Sequence, residues 1–166
     1  MKAKLKKFND CVMNVFGKWL VVMGITITVT VFVNVVCRYV FLMTIPWAEE
    51  LARFLFIWMT FVGSILANNK YQHMRLDFVV EKFSPQVAQI LIGISYIIVI
   101  CFLVILCIGG TEYSLSQWDW KSSALGVRHG LVYIIAPISF FIMGLQYVAR
   151  LIDLIINVVK GEISTC

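Results

Sequence analysis

The four longest stretches of the chain without Lys, Arg, Asp or Glu are Trp19–Cys37, Phe54–Asn69, Phe83–Thr111 and His129–Ala149. A helix that crosses a bilayer needs about 20 mostly apolar residues at 1.5 Å each. The first, third and fourth stretches meet that length outright. The second meets it only when the charged turns before it are counted in. The pattern predicts an all-α integral membrane protein of one domain, residues 1–166, with transmembrane helices at about 17–38, 46–69, 85–109 and 129–150. Between the second and third, Met74, Leu76, Phe78, Val79, Val80 and Phe83 alternate with Arg75, Asp77, Glu81 and Lys82. That pattern predicts a short amphipathic helix in the membrane interface, at about 72–83. Ser84-Pro85 then supplies a cap and a first-turn proline for the third helix. Residues 151–166 read as a tail.

Composition supports the membrane reading. The chain is 61% hydrophobic and 14% charged, against about 45–50% and about 25% in soluble domains. Lys2, Lys4, Lys6 and Lys7 ahead of an apolar run resemble a signal-peptide start, but Asn9, Asp10, Asn14 and Lys18 interrupt the approach. The run also lacks a small-residue cleavage site before Arg38, so a retained first helix is expected. Ten of the 14 basic residues (Lys2, Lys4, Lys6, Lys7, Lys18, Lys70, Arg75, Lys82, Arg150 and Lys160) fall on one side of the predicted membrane. Arg38, Arg53, Lys121 and Arg128 fall on the other. The positive-inside rule places both termini in the cytoplasm. The net charge of +5 then faces anionic headgroups and requires no nucleic acid.

Polar positions inside the spans carry the rest of the information. Thr26, Thr30, Asn34 and Arg38 recur every four residues along one stripe of the first helix. The stripe fits either threonines bonded to their own backbone with Arg38 snorkelling, or a polar seam facing another helix. Pro46 suits the first turn of the second helix. Glu49 and Glu50 near its N-terminus complement the helix dipole. Arg53 stands at i+4 and i+3 from them, within reach of either. Glu49, Arg53, Thr60, Gly63 and Ala67 share a small, polar face suited to close helix contact, whereas Phe54, Trp58 and Phe61 lie opposite. Gly109-Gly110 is expected to end the third helix. Trp118 and Trp120 read as aromatic-belt anchors, and Pro137 predicts a kink in the fourth helix.

Reaction chemistry is not apparent. Cys11, Cys37, Cys101, Cys107 and Cys166 form no CxxC and imply neither a disulfide framework nor a metal knuckle. The two histidines, His73 and His129, lie at predicted membrane edges rather than as axial ligands within a bundle. His73 and Asp77 have i,i+4 spacing but no third ligand, so a structural hydrogen bond is the expectation. No nucleophile–base pattern, P-loop or dinucleotide fingerprint occurs. Ion pathways through a membrane are marked by deep ionisable residues, and the third and fourth spans have none. An accessory or scaffold subunit is favoured over a catalyst or an independent transporter.

The strings "NVVCRYVF", "PWAEELARFLFIWMTFVGSILA" and "HMRLDFVVEKFSP" resemble the small membrane subunit (DctQ/SiaQ type) of tripartite ATP-independent periplasmic (TRAP) transporters. That family has Asn…Arg-Tyr at the end of helix one, Trp-Ala-Glu-Glu opening helix two and His-x-x-x-Asp in the loop that follows. These fall here on Asn34, Arg38, Tyr39, Trp47, Glu49, Glu50, Arg53, His73 and Asp77. "LVYIIAPISF", with Pro137, resembles the family's fourth helix, and the resemblance spans roughly residues 15–150. "GVRHGLVY" departs from it, since many members have a proline before that helix.

The resemblance implies a division of labour in a bacterial inner membrane. A soluble binding protein captures an organic acid, often a C4-dicarboxylate or a sialic acid. A large membrane subunit moves the acid in symport, using a sodium gradient. The small subunit binds no cofactor, packs on the large one's static scaffold and helps receive the binding protein. Ending at residue 166, the chain reads as the separate form rather than a small–large fusion. Its look is nearest to sialic-acid systems. On this reading Asn34, Arg38, Trp47, Glu49, Glu50, Arg53, Gly63 and Ala67 are candidates for partner contact, and His73 and Asp77 are cytoplasmic structural residues. The competing expectations are a self-sufficient small oligomeric channel or exporter, and a membrane enzyme or electron carrier.

Overall fold

A computed structural model describes the backbone over residues 2–70 and 85–159. It contains helices α1 (Lys2–Val40), α2 (Pro46–Lys70), α3 (Pro85–Ser116), α4 (His129–Tyr133) and α5 (Ile135–Val159). Among the described residues four helical stretches are long and apolar enough to cross a bilayer: Val15–Val40, Pro46–Asn69, Gln89–Ser116 and His129–Ile156. The expected interfacial segment at 72–83, with His73 and Asp77, and the tail beyond 159 lie outside the described residues.

Two helix boundaries differ from the sequence expectation. Gly109 and Gly110 lie inside α3, which runs on to Ser116. Gly110 faces α5, where a Cβ would make an ordinary contact at 3.5 Å with Pro137 Cδ, whereas one at Gly109 would meet nothing within 4 Å. A glycine pair inside a membrane helix therefore need not mark its end. The second difference is at Pro137, where the kink becomes a break at Ile134. Proline has no N–H for the carbonyl four residues back, that of Tyr133. Accordingly α4 stops at Tyr133 and α5 begins at Ile135. The Ile134 N–H still donates to the Gly130 carbonyl (3.0 Å) and keeps the two pieces joined.

The spans lie in a row, in the order α1, α2, α5, α3. Among the described residues α1 packs on α2 only, α2 on α5 and the short α4, and α5 on α3. Small residues line the first contact at ordinary distances: a Cβ at Gly17 would lie 3.8 Å from Leu66, one at Gly24 4.0 Å from Met59, and one at Gly63 3.9 Å from Leu20. Phe61 meets Phe140 edge-on at 5.6 Å between α2 and α5, and Tyr96 meets Tyr147 at 5.8 Å between α3 and α5. A row buries little. At most 22% of the apolar window of any span is buried within the chain, so lipid or another protein must cover the rest.

The row has two ends. The turn end carries the α1–α2 linker at 41–45 and the α3–α4 loop at 117–128. The far end carries the last turn of α2 and the α5 segment around Arg150. At the turn end the Cys37 carbonyl accepts from the N–H groups of Phe41 (3.1 Å) and Met43 (3.2 Å), with Leu42 in the left-handed region at φ 55°. That C-terminal position is usually given to glycine.

Candidate functional site

The turn end is organised around the Glu50 carboxylate, in the second turn of α2. It accepts hydrogen bonds from the hydroxyls of Ser122 and Ser123 (the latter 3.0 Å). It also accepts from the backbone N–H groups of Ala124 (3.2 Å) and Leu125 (3.1 Å). The loop is shaped for this role. Ser122 caps a single helical turn, its hydroxyl accepting from the Leu125 N–H (3.2 Å), and Gly126 closes the turn at φ 66°. The first N–H groups of such a turn have no partner of their own, and Glu50 supplies one. Converging N–H groups make a favourable seat for an anion.

A second contact fixes the same loop from behind. The buried Ser114 hydroxyl donates to the Gly130 carbonyl (3.0 Å), and the Gly130 N–H donates to the Gln117 carbonyl (3.1 Å). A Cβ on Gly130 would lie 2.8 Å from Trp118 Cε3, 2.9 Å from the Ser114 carbonyl oxygen and 2.9 Å from Trp118 Cα. Only glycine fits. Trp118, expected in the aromatic belt, is half-buried against this position, while Trp120 is 67% exposed.

The residues predicted for partner contact separate into three groups. Glu50 holds the loop. Asn34 and Glu49 join α1 to α2, Asn34 Nδ2 donating weakly to Glu49 (3.4 Å) while Asn34 Oδ1 accepts the Ile45 N–H (3.2 Å). Gly63 faces Leu20 of α1, and Ala67 is half-buried on the same helix. Arg38, Trp47 and Arg53 are exposed. The expected pairing of Arg53 with Glu49 or Glu50 is not made: among the described residues Arg53 has no ion pair. Glu50 instead turns to the serine hydroxyls and loop N–H groups, which offer convergent donors. The polar stripe of α1 divides likewise, since Thr26 bonds its own Val22 carbonyl (2.9 Å) and Asn34 reaches across. On the bulky face of α2, Phe54 is buried edge-on to His129 at 5.7 Å.

A cluster at the far end was not anticipated. Arg150 is 9% exposed and donates to the Asn68 side-chain oxygen (2.9 Å) and to the Asn68 main-chain carbonyl. Asn68 in turn donates to Gln146 (2.6 Å), and the guanidinium lies 5.0 Å over the Tyr147 ring. A cation at the carbonyl end of α2 is favoured by the helix dipole. The i,i+4 spacing of Gln146 and Arg150 on an otherwise apolar helix was the available signal.

These contacts are clasps between helices. Among the described residues no group of three or more His, Cys, Asp or Glu comes together as a metal site. Fold and site thus define a four-span membrane protein whose polar residues join its helices. The sequence matches the DctQ component of the tripartite ATP-independent periplasmic transporters over residues 27–157. It is 32% identical to a Haemophilus influenzae protein named as a TRAP transporter small permease protein, over 82% of this chain and 85% of that one. It is 28% identical to the isethionate TRAP transporter permease protein DctMQ of Oleidesulfovibrio alaskensis, over 72% of this chain and 18% of that longer one. It is also 28% identical to the C4-dicarboxylate TRAP transporter small permease protein DctQ of Vibrio cholerae, over 52% of this chain and 37% of that one. The chain belongs to the DctQ-component family of TRAP transporters, and its function is that of a small permease subunit.

Proposed function

We propose that this subunit is a non-catalytic scaffold for the large membrane subunit of a sodium-coupled importer, with its turn end facing the outer compartment. There it helps receive the soluble binding protein. The observation that carries the reading is the open row of spans clasped at both ends. Such a row holds its own shape yet leaves broad apolar faces uncovered, as a scaffold requires. The excess of Lys and Arg at the far end supports the orientation. Relatives named for isethionate and for C4-dicarboxylates point to a small organic anion as the imported solute. Sialic acid belongs on the same panel because of the resemblance in the sequence. The small subunit binds neither solute nor sodium in this reading, and the large subunit uses the gradient.

The test is co-expression of the tagged chain with the large subunit of the same transporter. A one-to-one complex in mild detergent is expected. Reconstituted with the binding protein, that complex should import a labelled organic anion only under an inward sodium gradient. Recovery of the chain alone as a stable oligomer that conducts solute would sink the scaffold reading.

A further inference from the structure

We infer that Lys121 and Arg128 form a paired cationic contact for an acidic patch on the soluble protein that docks at the turn end. The inference rests on the proposal that this end receives that protein, and it names the chemistry of the contact. Lys121 and Arg128 face each other across an antiparallel bridge within the α3–α4 loop. The Ser122 N–H donates to the Val127 carbonyl (2.9 Å) and the His129 N–H to the Trp120 carbonyl (2.9 Å). Those bonds flank the pair, so the bridge is of the non-hydrogen-bonded kind. That kind brings facing residues closest, with Cα atoms about 4.5 Å apart.

Like charges directly opposite one another are unfavourable. Among the described residues neither Lys121 nor Arg128 makes an ion pair. The carboxylate that holds this loop, Glu50, is occupied by Ser122, Ser123, Ala124 and Leu125. Both cations are exposed, beside the exposed Trp120, and the Arg128 guanidinium sits 6.0 Å over the Trp118 ring. The loop is thus held from two sides by Glu50 and Gly130 while it keeps two cations together.

Cations that merely reach lipid headgroups do so on flexible stems and need no preset spacing. A backbone that fixes the pair in advance lowers the ordering cost of binding a folded partner. An anionic protein surface laid over the pair would relieve its repulsion. Contacts of this kind chiefly speed association and are screened by salt.

The experiment places the complex of this chain with the large subunit in nanodiscs, one set of phosphatidylcholine alone and one containing phosphatidylglycerol. Association of the purified binding protein of the same transporter is followed at low and at high salt. Lys121→Glu/Arg128→Glu should slow association at least about tenfold in both lipids and flatten its salt dependence. Lys18→Glu, a reversal at the far end, should leave it unchanged. Asp119→Asn, which removes a negative charge two residues from Lys121, should speed association about twofold, a gain that misfolding cannot produce. If the double variant associates as fast as the unaltered complex, or if Asp119→Asn gives no gain, the inference is overturned while the docking role stands. An effect seen only with phosphatidylglycerol overturns it in favour of headgroup contact. If the unaltered complex binds no soluble protein in either lipid, the docking role itself fails and takes the inference with it.

Discussion

The two ends of the helix row solve one problem with opposite charges. At the turn end an anion on α2, Glu50, is gripped by the hydroxyls and N–H groups of a loop. At the far end a cation on α5, Arg150, grips an amide and a carbonyl at the close of α2. Each clasp ties α2 to the half of the molecule built from α3 and α5. Between them, α2 meets α5 through apolar contacts such as Phe61 on Phe140. Lipid tails are as apolar as side chains, so burial in a bilayer gives little drive for one helix to choose another. Polar clasps at both ends fix the register that apolar packing leaves loose. The difference lies in access: the far-end cation is buried, whereas the turn-end clasp holds up a loop that displays its charges.

The largest expected effect breaks the turn end from behind. Gly130→Ala drives a Cβ to 2.9 Å from the Ser114 carbonyl oxygen and from Trp118 Cα, backbone atoms that cannot swing aside. Overpacking of this kind costs about 3 kcal/mol. A lowered melting temperature in detergent, with reduced recovery of folded protein, is the expected result. An unchanged melting temperature would show that α4 can shift away from α3 without loss.

Next comes the far end. Arg150→Met keeps the apolar bulk but strips Asn68 of two part-buried hydrogen bonds, at a cost of about 2 kcal/mol. Arg150→Lys should rescue only part of it, since an ammonium cannot reproduce the planar fork that bridges side chain and main chain. Melting temperatures of the three proteins decide the matter. Full rescue by lysine would reduce the clasp to a charge at a helix end.

Glu50→Gln should act more locally. The amide oxygen replaces two carboxylate oxygens, and the amide N–H₂ confronts the loop donors. Hydrogen exchange at Ala124 and Leu125 should accelerate at least about tenfold, while the far end keeps its protection. Acceleration spread equally over α2 and α5 would mean that the two clasps form one cooperative unit.

The spans were legible because length and absence of charge suffice to identify them, the start near Pro46 following from a first-turn proline and the start near His129 from the last charge before it, Arg128. The end of α3 was misread at Gly109-Gly110, because an apolar run in a bilayer carries a helix through two glycines and on to Ser116. The partner of Glu50 was missed because Arg53 is the nearer candidate along the helix. The signal lay some 70 residues away in "KSSALG", a serine cap followed four residues later by a left-handed glycine. Which of two donors captures a carboxylate depends on tertiary position, and helical spacing does not carry that. Arg150 read as a residue marking the end of a span, and its burial against Asn68 depends on the order of helices in the row.

The smallest effect sharpens the comparison most, because it separates contacts within the chain from contacts to a partner. Gly63 lies on the small-residue face that the sequence assigned to partner contact, yet in the fold this position meets Leu20 of α1. A Cβ there would lie 3.9 Å from Leu20 Cδ1, an ordinary contact. Alanine also favours a helix interior over glycine by about 0.5–1 kcal/mol in water. Gly63→Ala should therefore leave the isolated chain as stable as before, or slightly more so. If the isolated chain is intact and recovery of the large-subunit complex is also unchanged, Gly63 serves α1 alone, and the partner surface lies elsewhere on the uncovered faces of the row. If the chain is intact but recovery of the complex falls, a partner helix approaches this face beside α1, and the assignment made from small residues four apart stands.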